Sequence, residues 1–158
     1  MIEVKDIHKN FGRKKVLKGV SFTVNKGEIT CLIGINGVGK TTILNAIMDL
    51  TLIKRGEILI DEKQHTPEMY NQITFIPDAA IMLPGMTIQQ AMDFMKEYHS
   101  VWNEKRAKDL LRFFKLKVSD KIQDLSKGNV AKVNLLMGLS LDVDYILMDE
   151  PFSGIDIF

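Results

Sequence analysis

Residues 34 to 42 run Gly-Ile-Asn-Gly-Val-Gly-Lys-Thr-Thr, and no other stretch restricts the fold of this chain so much. The spacing G-x-x-x-x-G-K-[ST] is met at every fixed position, by Gly34, Gly39, Lys40 and Thr41. Before it, the apolar run Ile29 to Ile33 predicts a buried strand; after it, Lys40 to Met48 predicts a helix. A strand, a glycine-rich turn and a helix in that order draw backbone N–H groups inward, so that Ile35, Asn36, Gly37 and Val38 form a cradle for a phosphate. The helix N-terminus adds partial positive charge at the same place. Lys40 brings a full charge to the β and γ phosphates, an attraction of roughly 4 kcal/mol at about 4 Å in an effective dielectric of about 20. The hydroxyl of Thr41 suits Mg²⁺, and Thr42 completes the run.

A phosphate cradle of this kind works with a metal-binding carboxylate, and residues 145 to 150 supply one as Tyr-Ile-Leu-Met-Asp-Glu. The four apolar residues predict a buried strand whose end delivers Asp149 to the metal. Glu150 stands one residue further on, where a carboxylate can polarise an attacking water as a general base.

Between these motifs lies Leu125-Ser126-Lys127-Gly128-Asn129, and after them Ser153-Gly154-Ile155-Asp156. The order and spacing resemble the ATP-binding cassette (ABC) family of ATPases over essentially the whole chain. In that family the pentapeptide is typically Leu-Ser-Gly-Gly-Gln, presented at a helix N-terminus to the γ-phosphate of an ATP held by the opposite subunit. Ser126 and Gly128 match it, whereas Lys127 and Asn129 depart. A Ser N-cap followed by Gly is also an ordinary helix start. Asn10 to Leu17 resembles the family's aromatic loop, with Phe11 as the platform for adenine and Val16 beside it; such stacking contributes about 1 to 3 kcal/mol for any base. The segment Ile73 to Asp78 resembles the family's strand and following loop, where a Gln usually contacts the metal and relays to the membrane partner. Here Asp78 takes that place. It either joins the Mg²⁺ site, adding a negative charge beside Asp149 and Glu150, or caps the helix or turn that follows.

The resemblance implies an α/β fold of the P-loop NTPase type, with a mixed β-sheet core, an antiparallel β subdomain and an inserted helical subdomain. Residues 1–83 would hold the nucleotide-binding core with the β subdomain, 84–122 the helical insert, and 123–158 the pentapeptide, the acidic strand and the loop after it. It further implies an ATP hydrolase that powers a membrane transporter by nucleotide-driven dimerisation. The partners would be ATP with Mg²⁺, a second copy or a paralogous cassette, and an integral membrane subunit. The place would be the cytoplasmic face of the cell membrane. The alternative is a regulatory module that holds nucleotide and turns it over slowly or not at all.

Composition sets outer bounds. At 158 residues the length suits one domain with a real core. Twenty-one basic and 20 acidic residues give a net charge of +1, with no electrostatic footprint for nucleic acid. The single Cys31 cannot form an internal disulfide and is expected to be a small core hydrophobe in a reducing compartment. No apolar run approaches the roughly 18 residues of a membrane span.

Strands are predicted at Ile2–Val4, Val20–Val24, Ile29–Ile33 and Glu57–Ile60, with breaks at 25–28 and 54–56. After Leu83-Pro84-Gly85 the period turns helical, with apolar stripes Ile88, Ala91, Met92, Met95 and Ala107, Leu110, Leu111, Phe114. These methionines and aromatics are read as packing. The absence of sustained heptads argues against the chromosome-organising relatives, which carry long coiled coils at this point. Family members also continue past the acidic strand into another strand and a His-bearing loop, and His8, His65 and His99 lie in other segments. By family topology that strand sits beside the phosphate-loop strand. The expectation is therefore that Phe158 ends a piece of a longer cassette, with a gap of about 10 Å in its sheet.

Overall fold

The computed structural model describes residues 1–82 and 85–155. Leu83 and Pro84, which begin the expected turn into the helical segment, lie outside the described residues, as do Asp156 and the last residue, Phe158. The chain divides into two units, one from Met1 to Met69 and one from Tyr70 onward.

In the first unit, β1 (Ile2–Phe11) and β2 (Lys14–Val24) form an antiparallel hairpin, and β3 (Arg55–Ile60) pairs on the other side of β1, giving the order β2-β1-β3. Ile2 and Val4 alternate onto the core face, but the next core residue is Ile7. A bulge at this point, with a register shift between Val4 and Ile7 and Asp6 at φ 47°, restores the inward face after one extra residue. The hairpin is longer than predicted: the strands expected at Ile2–Val4 and Val20–Val24 are its open end. The expected aromatic loop is reduced to the turn Gly12-Arg13, because Lys9, Asn10, Lys15 and Leu17 all pair across the ladder. The break expected at 54–56 also moves, since Arg55 and Gly56 already belong to β3. Helix α1 (Lys40–Ile47) buries Ile43, Leu44, Ala46 and Ile47.

Ile29 to Ile33 corrects the sequence reading. It is not a strand; Ile29 and Ile33 are 103% and 93% exposed, and Cys31 is exposed rather than a core residue. Apolar, β-branched residues favour extension, but a strand needs neighbouring N–H and C=O groups, and the ladders among the described residues do not include this segment.

The second unit is built around one helix. Strands β4 (Ile73–Ile76) and β5 (Tyr145–Met148) pair in parallel, Ile73 opposite Tyr145 and Ile76 opposite Met148. Helices α2 (Ile88–Tyr98), α3 (Glu104–Phe113) and α4 (Lys127–Leu139) complete it. Thr87 starts α2 with a reciprocal cap: its hydroxyl accepts from Gln90 N at 3.2 Å, and Gln90 Oε1 accepts from Thr87 N at 2.9 Å. The stripe Ile88, Ala91, Met92, Met95 is buried, and Ala107 joins the same core while Leu110, Leu111 and Phe114 cover it half-buried. Helix α4 carries six consecutive buried residues, Val133 to Gly138, the pattern of a helix covered on all sides. The strand expected to be buried at 145–148 is buried only at Tyr145, and Ile146 is exposed, because among the described residues β5 pairs with β4 alone. Among the described residues no helix is long and apolar enough to cross a membrane.

At Gly138 helix α4 meets β4 so closely that a Cβ would overlap Cγ1 and Cδ1 of the buried Ile76. Gly138→Ala raises intrinsic helix propensity by about 1 kcal/mol but overpacks this contact, at a cost of about 1 to 3 kcal/mol. Urea unfolding should show net destabilisation with an unchanged slope; a stabilised variant would show that the contact yields freely.

Candidate functional site

The phosphate loop belongs to the first unit. Gly39 caps α1 with φ 114° and ψ 12°, a left-handed conformation costly for any side chain, and a Cβ there would stand 2.9 Å from Leu17 Cδ2 and 3.0 Å from Val16 Cγ1. The loop therefore closes directly onto β2, which brings Val16 alongside it. Gly37 also takes positive φ, 77°, and Val38 N donates to Ile35 O at 3.3 Å to hold the turn between them. Lys40 Nζ folds back over the loop, donating to Gly34 O at 2.8 Å and Ile35 O at 3.3 Å. Its charge thus sits over the loop. Helix α1 starts without a side-chain hydrogen bond from its N-cap residue, and its N-terminus faces the loop. Asn36 and Thr41 are exposed and Thr42 is half-buried. Phe11, at the tip of the hairpin, is 54% exposed, with Lys9 Nζ 5.0 Å from its ring centroid.

The remaining candidates gather in the second unit around the C-terminal ends of β4 and β5. Asp149 N donates to Ile76 O at 2.9 Å, continuing the parallel ladder by one bond, and the Asp149 side chain is largely buried. Glu150 is exposed, with φ 46°, an uncommon conformation for a residue with a side chain. A turn follows in which Ser153 N donates to Glu150 O at 3.0 Å. Ser126 is the N-cap of α4, its hydroxyl accepting from Asn129 N at 3.3 Å. Asp78 is exposed and opens no helix; its carboxylate lies 3.8 Å from Lys127 Nζ.

Two residues that sequence reasoning gave no role prove central here. Asn134 is buried, donating from Nδ2 to Pro77 O at 3.2 Å and Ala79 O at 2.8 Å, and accepting from Ile81 N at 3.4 Å. It thereby holds the loop that carries Asp78. The available signal was a lone amide inside the apolar stretch 133–139. Lys127, noted only as a departure from a motif, donates to Ser153 Oγ at 2.9 Å. Thr41 in the first unit offers a hydroxyl oxygen, and Asp78 and Asp149 in the second offer carboxylate oxygens, each a kind of donor that suits a hard cation such as Mg²⁺. Among the described residues no cluster of three or more His, Cys, Asp or Glu forms a ready-made metal cage.

The family model described as "ABC transporter" matches residues 17–153. An uncharacterised ABC transporter ATP-binding protein of Methanocaldococcus jannaschii is 34% identical over 99% of this chain, which spans 58% of that protein's length. A solved ATP-binding subunit of an ABC transporter superposes with a TM-score of 0.89 at 32% identity, covering 99% of this chain and 69% of the other. The ATP-binding cassette MJ0796, solved as a dimer in a post-hydrolysis state bound to ADP and phosphate, superposes with a TM-score of 0.83 at 25% identity, covering 99% and 77%.

Removing the Asn134 amide leaves partly buried backbone groups of the 77–81 loop without this partner, at a cost of about 1 to 3 kcal/mol. Asn134→Leu, close in volume, should destabilise the fold by that amount and accelerate amide exchange at Ile81. Unchanged stability and exchange would mean that the loop keeps its shape without the amide.

Proposed function

The chain belongs to the ABC transporter family, and on that premise we propose that it binds ATP with Mg²⁺ and hydrolyses it to drive a membrane transporter. One observation carries the reading: a left-handed Gly39 closes a glycine loop onto β2 under Lys40, at the start of a helix with no side-chain cap. That arrangement suits a polyphosphate, because a glycine loop, a helix N-terminus and an ammonium lie together at the start of α1. Gly34 to Thr42 hold the phosphates, and Phe11 and Val16 offer an apolar surface for the base.

Thr41, Asp78 and Asp149 are the oxygen donors that would hold Mg²⁺, and the ion would neutralise charge on the phosphates. Glu150 acts as general base for the attacking water: its carboxylate is exposed and leaves β5 one residue after Asp149. A second cassette presents Ser126 and Gly128 to the nucleotide of the first, so two ATP molecules are held between two subunits. The membrane subunit docks on the loop at Asp78 and the helical segment, at the cytoplasmic face of the membrane.

Lys40→Ala should weaken ATP binding roughly 10- to 100-fold, the scale of a lost charge-assisted hydrogen bond. Calorimetry giving equal affinity for parent and variant would defeat the assignment of the loop. Glu150→Gln should leave ATP affinity in place while lowering turnover of the full-length protein by about 10²- to 10⁴-fold. Turnover equal to that of the parent would remove Glu150 from the chemistry.

A further inference from the structure

Lys127 and Asp78 are the two conspicuous departures from the family pattern near the site, and in the folded chain they are partners. Lys127 is the first residue of α4, and its ammonium lies 3.8 Å from Asp78 Oδ1 and 2.9 Å from Ser153 Oγ. One side chain therefore reaches both loops leaving the C-terminal ends of the parallel pair β4 and β5. The backbone under it is equally close: a Cβ on Gly128 would overlap the Gly154 carbonyl oxygen. The stem of Lys127 lies along Gly154, whose Cβ position is 3.5 Å from Lys127 Cγ and Cδ. The clasped turn is the one that starts at Glu150, since Ser153 N donates to Glu150 O at 3.0 Å.

We propose that Lys127 is a positioning residue which fixes the direction of Glu150 by clasping the 150–154 turn to the start of α4, with Asp78 as the counter-charge that holds the ammonium there. The assignment of Glu150 as base rests on the function proposed above; the clasp does not. Glu150 sits at positive φ without a glycine's freedom, so its backbone depends on what holds the turn. Ser153, joined to that backbone by one hydrogen bond across the turn, is what Lys127 holds. Asp78 brings a negative charge to a region that already contains Asp149 and Glu150, and Lys127 offsets it while keeping its own donor on Ser153.

Lys127→Met keeps the stem and removes the charge. In the full-length protein it should speed amide exchange at residues 153–155 about tenfold, and lower kcat for ATP roughly three- to tenfold with KM unchanged, the range of a coupled pair of contacts. Lys127→Arg should restore both. Asp78→Asn alone should have a smaller effect, and combined with Lys127→Met it should add little to the loss of Lys127→Met alone. Unchanged exchange in Lys127→Met overturns the clasp. A raised KM with normal kcat also overturns it, because Lys127 would then be a nucleotide ligand, and losses that multiply in the double variant would show that the two residues act separately. If the parent hydrolyses no ATP, the proposed function fails, and the exchange measurement still decides the clasp.

Discussion

The packing of α4 against β4 is the contact on which the second unit depends. Lys127, Asn134 and Gly138 are spaced seven and four residues apart, so they share one face of the helix. Gly138 lets the helix approach Ile76, Asn134 satisfies the backbone of the loop just after β4, and Lys127 reaches the ends of both loops. Each residue does a different physical job along one line: space, hydrogen bonding, then charge. Helix α4 thus aligns the loops bearing Asp78 and Glu150 while its other faces complete the core with α2 and α3.

In the first unit a backbone constraint plays the corresponding part. Gly39 must be glycine twice over, for its φ of 114° and for the closeness of Val16 and Leu17. The consequence is that the phosphate loop is seated on the β1–β2 hairpin rather than suspended from flexible ends. Leu17 is buried and so anchors the seat, and α1 starts at the next residue with its N–H groups directed toward the loop.

What the sequence made legible follows the range of the forces involved. Spacing motifs such as Gly34 to Thr42 and local signals such as the Ser126 cap act within a few residues, and the helices that follow them form at Lys40 and Lys127. The stripes on α2 and α3 were readable for the same reason, since a helix makes its own hydrogen bonds and asks only that one face be covered. Ile29 to Ile33 was misread because a strand is a joint property of two segments. Its composition is that of a buried strand, yet no ladder forms there. The hairpin ran past its predicted limits for a related reason: Asn10, Lys14 and Lys15 are poor strand formers alone but gain cross-strand partners through the Gly12-Arg13 turn. Asn134 was invisible because its value lies in three backbone groups more than fifty residues away.

Lys127 and Asp78 show the same limit in the site itself. Read along the chain, each is a separate anomaly, a cation where the family has glycine and a carboxylate where it has an amide. Read in space, they are opposite charges 3.8 Å apart, with side chains 65% and 43% exposed. A pair so exposed adds only about 0 to 1 kcal/mol to stability, so stability does not account for it. The second contact of Lys127, to Ser153, is what gives the pair consequence: an ammonium with three donors can bridge two loops where a glycine cannot bridge any. The two departures are then best understood as a single change, in which a new negative charge near the carboxylates is balanced by a cation that also orders the turn beside them.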